Sequence, residues 1–134
     1  MLSRRLGGSE FPGIVSAYLF GSESEGRAHR ESDVDVGVLL SRSAHPTARD
    51  RFDQRLLLAS RLAATLRGRP VDVVILNDAP PGIARRIVTA GTRLFCGDPA
   101  ADHAFVRDVQ LRAADLEPFL RRMRRIKLRA IARP

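Results

Sequence analysis

The run Val71-Asp72-Val73-Val74-Ile75-Leu76-Asn77 constrains this chain more than any other stretch, because it is apolar and largely β-branched apart from Asp72. Such a run predicts a buried strand. A charge one residue into it is costly to bury unless something cationic meets it. Ile14–Phe20 (IVSAYLF), ended by Gly21, and Val34–Leu40 (VDVGVLL) predict two more buried strands.

Between Pro46 and Arg67, the residues Phe52, Leu56, Ala59, Leu62, Ala63 and Leu66 recur at helical spacing, with Arg51, Arg55 and Arg61 set opposite. This predicts an amphipathic helix closed by Gly68 and Pro70. After Asn77, Asp78 is a candidate cap, Pro80 and Pro81 suit a first turn, and a helix runs to about Ala90 with Gly91 ending it. Thr92–Cys96 can make a short strand, and Gly97-Asp98-Pro99 opens a helical region carrying Phe105, Val109, Leu111, Leu116, Leu120 and Met123, which Pro118 should break or kink. The residues before Ile14 show no clear helix. The order strand, strand, helix, strand, helix, strand, helix is an α/β (α+β) arrangement, a small mixed sheet flanked by helices. Residues 1–98 are expected to form the core, and 99–134 a C-terminal, helical, Arg-rich extension of the same domain.

The 134 residues fit one domain. With 44% hydrophobic residues the chain should fold rather than stay disordered. Cys96 is the only cysteine, so an intrachain disulfide and a thiolate zinc site are excluded and a reducing compartment is favoured. No apolar stretch is long enough for a signal peptide or a membrane span, and a cytoplasmic protein is expected. The formal charge of +8 is almost wholly arginine, Lys127 being the only lysine, and the excess is concentrated in FLRRMRRIKLRAIARP at the end. That segment suits a solvated helix face or a docking surface for an acidic protein. Nucleic acid ranks behind these, since the only stacking aromatic there is Phe119.

The chemistry lies in FGSESEGRAHRESDVDVGV, residues 20–38, where Gly21-Ser22 is followed after ten residues by Asp33-Val34-Asp35 at the start of a strand. Strand side chains alternate, so Asp33 and Asp35 share one face. Two carboxylates there suit hard, oxygen-seeking cations such as magnesium. If a neighbouring strand brings Asp72 beside them, three carboxylates can hold one or two magnesium ions that position a triphosphate during in-line transfer. Gly21 permits close backbone approach, and Ser22 with nearby amides can contact phosphate oxygens.

These residues resemble the GS-x10-DxD signature of the polymerase-β-like nucleotidyltransferase superfamily, and the chain is similar to its minimal nucleotidyltransferase (MNT) branch. The likeness spans Ile14 to Cys96: FGSESEGRAHRESDVDVGV aligns without a gap, VDVVILN supplies the third carboxylate, and PPGIARRIVTAGTRLF resembles the segment that closes the sheet. The resemblance implies a nucleotidyltransferase fold, ATP with two magnesium ions, and transfer of AMP with loss of pyrophosphate. Asp33, Asp35 and Asp72 would be catalytic metal ligands, with Gly21 and Ser22 on the nucleotide. Many MNT proteins are antitoxins that bind a HEPN ribonuclease toxin and adenylylate a tyrosine near its active site. In one respect the chain departs from the pattern: Glu23 and Glu25 follow the GS pair where relatives often carry arginine. Acidic residues there repel a triphosphate, and Arg27 and Arg30 are placed to offset them.

Blander roles compete for each residue. Asp33 and Asp35 could cap strand-entry amides, Asp72 could sit exposed on an edge strand, and Ser22 could cap a turn. His29, His45 and His103 lack mutual metal-ligand spacing and are expected at the surface, while Cys96 is expected to be a small buried residue. Two other functions remain beside the protein adenylyltransferase: a small-molecule, aminoglycoside-like nucleotidyltransferase, and a non-catalytic protein that sequesters a toxin.

Overall fold

A computed structural model describes residues 2–8, 11–21 and 34–132, with side chains as far as 127. The elements are α1 (Leu2–Leu6), β1 (Ile14–Phe20), β2 (Val34–Leu40), α2 (Ala48–Thr65), β3 (Val71–Ile75), a 3₁₀ turn (Leu76–Asp78), α3 (Pro81–Ala90), β4 (Thr92–Cys96) and α4 (Pro99–Ala132). They make one four-stranded sheet in the order β3-β2-β1-β4. β1 runs antiparallel to β2 and β4, whereas β3, reached through the α2 crossover, lies parallel to β2. The mixed α/β arrangement expected from the sequence is the one observed.

The period-two alternation of the strands sorts their side chains into two cores. Val34, Val36 and Val38 of β2 and Val73 and Ile75 of β3 pack with Leu58 and Leu62 of α2 and Leu6 of α1. On the other face Tyr18, Leu39 and Leu76 pack with Ala84 and Ile87 of α3 and Val109 of α4. Each leucine or valine buried in this way contributes roughly 1.5–3 kcal/mol. Among the described residues no helix is long and apolar enough to cross a membrane.

Four local expectations need correction. Residues 2–6 do form a helix, α1, which exists because Leu6 (1% exposed) seats in the first core. Helix α2 is rotated from its predicted face: Leu58 and Leu62 are fully buried, whereas Phe52 and Leu56 are 51% and 55% exposed. The rotation turns Arg51 inward, where it finds acceptors that water would otherwise supply, while Arg55 stays exposed as expected and reaches the Val73 carbonyl from there. Asp78 does not cap α3, whose N-cap is Pro80 without a side-chain bond; its carboxylate is held by Arg51 instead. Finally, α4 continues through Pro118 for 34 residues. The carbonyl that Pro118 cannot serve belongs to Ala114, an exposed residue, so water can replace the missing donor.

Candidate active site

Three of the residues singled out in the sequence meet at one end of the sheet. In the parallel β2–β3 pair Asp35 stands opposite Asp72, and in the antiparallel β1–β2 pair it stands opposite Phe20, the residue before Gly21. Neighbouring strands lie roughly 4.8 Å apart, so the two aspartates are adjacent. Their neighbours Val34, Val36, Val71 and Val73 belong to the core under α2, and by alternation both carboxylates therefore face the α3 and α4 side. Asp35 is half-buried and the Asp72 side chain is 54% exposed.

Gly21 closes this corner. Its φ of +77° lies in the left-handed region, and a Cβ placed on it would run into Oδ2 of Asp35. Glycine is thus required twice, for the turn that ends β1 and for the space the carboxylate fills. Beside the pair, Arg55 reaches round the β3 edge: its Nε donates to the Val73 carbonyl at 2.8 Å, and its NH2 lies 3.9 Å from Oδ1 of Asp72. Both side chains are about half exposed, so the ion pair orients Asp72 more than it stabilises the fold.

Two carboxylates on adjacent strands repel, and a divalent cation shared between them removes that repulsion. The donor set is all oxygen and fits magnesium rather than zinc. Ser22 and Asp33, together with Glu23, Glu25, Arg27 and Arg30, lie outside the described residues, as does His29. Among the described residues no three His, Cys, Asp or Glu side chains gather as a metal cluster, so the described part of the site is the pair Asp35 and Asp72. Of the other histidines, His45 meets the Pro12 carbonyl at 3.1 Å through Nε2, and His103 is exposed.

Three supporting interactions have no counterpart in the sequence reading. Arg51, 5% exposed, donates through Nε and NH2 to the two oxygens of Asp78 at 2.9 and 3.0 Å, and through NH1 to the His45 carbonyl at 3.0 Å. The bond to Asp78 raises the Arg51 pKa further. The Asn77 side chain brackets the end of β2, accepting from the Leu40 amide at 2.8 Å and donating to the Leu40 carbonyl at 2.9 Å. Under the first turns of α4, Ser16 Oγ and Tyr18 OH each donate to Oδ1 of buried Asp102 at 2.6 Å, while Arg93 NH1 lies 3.3 Å from Oδ2. Burial first, and the bond to Asp102 second, push the Tyr18 phenol well above its ordinary pKa. The one signal available in the sequence was a polar Ser16 and Tyr18 inside an apolar strand, which calls for a buried acceptor.

A mixed sheet bearing paired aspartates on parallel neighbours, next to a strand that ends in a left-handed glycine, defines a site of the nucleotidyltransferase class. Residues 8–100 match the family described as polymerase beta, nucleotidyltransferase, and the chain belongs to that family. It is 38% identical over 86 residues to the protein adenylyltransferase MntA of Shewanella oneidensis, covering 63% of this chain and 55% of that one. It is 35% identical over 65 residues to a spectinomycin 9-adenylyltransferase of Staphylococcus aureus, covering 48% of this chain and 25% of the other. The chain thus spans about half, and about a quarter, of the length of these curated relatives. Among solved structures it superposes on a toxin–antitoxin crystallised with AMP-PNP, with a TM-score of 0.70 and 28% identity over 88% of this chain and 89% of that one. The fold also matches a tri-AMPylated Shewanella oneidensis HEPN toxin in complex with MNT antitoxin, at a TM-score of 0.66, 24% identity, and 93% and 92% coverage.

Proposed function

We propose that this chain is an MNT-type antitoxin that transfers AMP from ATP onto a hydroxyl, a tyrosine by preference, of a HEPN ribonuclease toxin. The observation that carries the reading is the register of Asp35 against Asp72 beneath Gly21. The likeness to a protein adenylyltransferase and to a toxin–antitoxin bound to AMP-PNP supports it.

In this reading Asp33, Asp35 and Asp72 hold magnesium, and Gly21 and Ser22 seat the phosphates. When bound, the metal neutralises charge on the phosphates and on the attacking and leaving oxygens. The Asp72 carboxylate, open to solvent on the edge strand, accepts the proton of the incoming hydroxyl. That oxygen bonds to the α-phosphorus, the bond to pyrophosphate breaks, and AMP stays on the acceptor. Arg55, anchored on the Val73 carbonyl, keeps Asp72 turned to the site. The reading implies a cytoplasmic protein, where Cys96 stays reduced.

The test is to incubate the chain with magnesium, α-labelled ATP and the product of an adjacent HEPN-type gene, beside an Asp33→Asn, Asp35→Asn variant. Label on the partner that depends on both aspartates is the expected result. A tight complex without label overturns the enzymatic reading and makes the chain a sequestering protein. Absence of both label and complex turns the search to small-molecule acceptors.

A further inference from the structure

The distal half of α4 carries a run of exposed apolar side chains. In its first half Asp102, Val109 and Ala113 are buried and Phe105 packs partly beneath them. At the helical repeat that face runs on to Leu116, Leu120 and Met123. Farther along, Glu117 lies 4.0 Å from Arg85 of α3 at the surface, and every residue from Pro118 to Lys127 is exposed. Leu116, Phe119, Leu120, Met123 and Ile126 are 41–58% exposed alongside Leu111. At 100° per residue these five, Leu111 apart, fall within about 120° of one another. A contiguous apolar stripe of this kind marks an interaction surface rather than a solvated helix.

Arginine lines both flanks. Arg124 borders the stripe on one side with Arg121 behind it, and Arg122 borders it on the other with Arg125 behind, whereas the acidic side chains between Leu111 and Lys127 are Asp115 and Glu117. Glu117 is already engaged by Arg121 at 2.8 Å. A second copy of the helix would set arginine against arginine, and RNA would leave the apolar stripe bare. The chemistry that satisfies both features is an apolar helix face with an acidic border.

We propose that this segment, Leu116 to Lys127, is the docking surface for the protein partner and receives such a face. The proposal rests on the reading above, in which the partner is the HEPN-type toxin.

The test titrates the purified product of the adjacent HEPN-type gene into the full chain by calorimetry. Wild type is compared with a Leu120→Glu, Met123→Glu variant and an Arg122→Glu, Arg124→Glu variant. All four positions are exposed, so circular dichroism and thermal unfolding should match wild type. The expected result is a monomer in isolation that binds the toxin, with affinity reduced about 100-fold or more by the apolar variant and about tenfold by the charge variant. The charge variant should also flatten the salt dependence of binding. Unchanged affinity in both variants overturns the proposal even if label still transfers to the toxin. A wild-type complex that forms through this face but transfers no label leaves the docking surface standing and overturns the enzymatic reading. A wild-type homodimer that the apolar variant dissociates, or RNA binding that the charge variant abolishes while toxin affinity holds, overturns the proposal.

Discussion

Gly21 and Gly68 offer a matched pair of substitutions that separate backbone strain from damage to the site. Both lie in the left-handed region, at φ +77° and +81°. An alanine there costs about 1–2 kcal/mol in backbone energy, offset by up to about 1 kcal/mol lost from unfolded-state freedom. At Gly68 nothing lies within 4 Å of an added Cβ, so that net strain is the whole effect. At Gly21 the same methyl meets the Asp35 carboxylate, with Cγ at 3.4 Å and Cβ at 3.6 Å behind it. Restoring van der Waals separation moves the carboxylate by roughly 1 Å. Gly68→Ala should lose about 1 kcal/mol of stability, a Tm decrease of roughly 3–5 °C for a chain of this size, and Gly21→Ala at least as much. Misplacement by an ångström at a reacting centre costs about 100-fold, so Gly21→Ala should lose that factor in label transfer while Gly68→Ala transfers at the wild-type rate. The assay is single-turnover transfer from α-labelled ATP, paired with urea denaturation of both variants. Equal loss of transfer in the two variants, or full transfer by Gly21→Ala, would refute the role given to Gly21 and Asp35.

The network beneath α4 makes two further predictions. Asp102→Ala leaves two buried hydroxyls, Ser16 Oγ and Tyr18 OH, without their acceptor, a loss of about 2–4 kcal/mol. Asp102→Asn keeps an acceptor oxygen and should lose only about 1 kcal/mol by urea denaturation; equal losses would mean that the hydroxyls do not matter. Tyr18 is the chain's only tyrosine, so ultraviolet titration of phenolate reads one group. Its folded-state pKa is raised, first by burial and then by Asp102, so the folded chain keeps a proton that the unfolded chain releases. That stabilisation is whole below about pH 10 and is lost as pH rises from there towards the folded value. The native phenol should therefore titrate above its unfolded counterpart in urea, and Tyr18→Phe should flatten the alkaline fall in stability; coincident native and unfolded titrations would refute this.

The sequence by itself determined the elements, because their signals are local. IVSAYLF, VDVGVLL and TRLFC became β1, β2 and β4 with the expected bounds, since apolar runs between turn residues have few other folded solutions. Asp35 and Asp72 stood out for similarly local reasons: Asp35 is half of the Asp33-Val34-Asp35 pair at a strand entry ten residues after Gly21-Ser22, and Asp72 is the lone acid in an apolar, valine-rich run. Only the tertiary structure decided that they lie opposite one another, since this depends on the register of two strands joined by an 18-residue helix. It also decided which face of α2 turns inward. Periodicity measured only apolar spacing, and it placed Arg51 outside because it could not see Asp78 waiting for it. The polar Ser16 and Tyr18 hinted at a buried acceptor, but its identity was hidden for the same reason, Asp102 lying 86 and 84 residues away. Hydrophobic period fixes what a segment becomes, whereas the pairing of distant polar groups is fixed only when packing brings them out of water together.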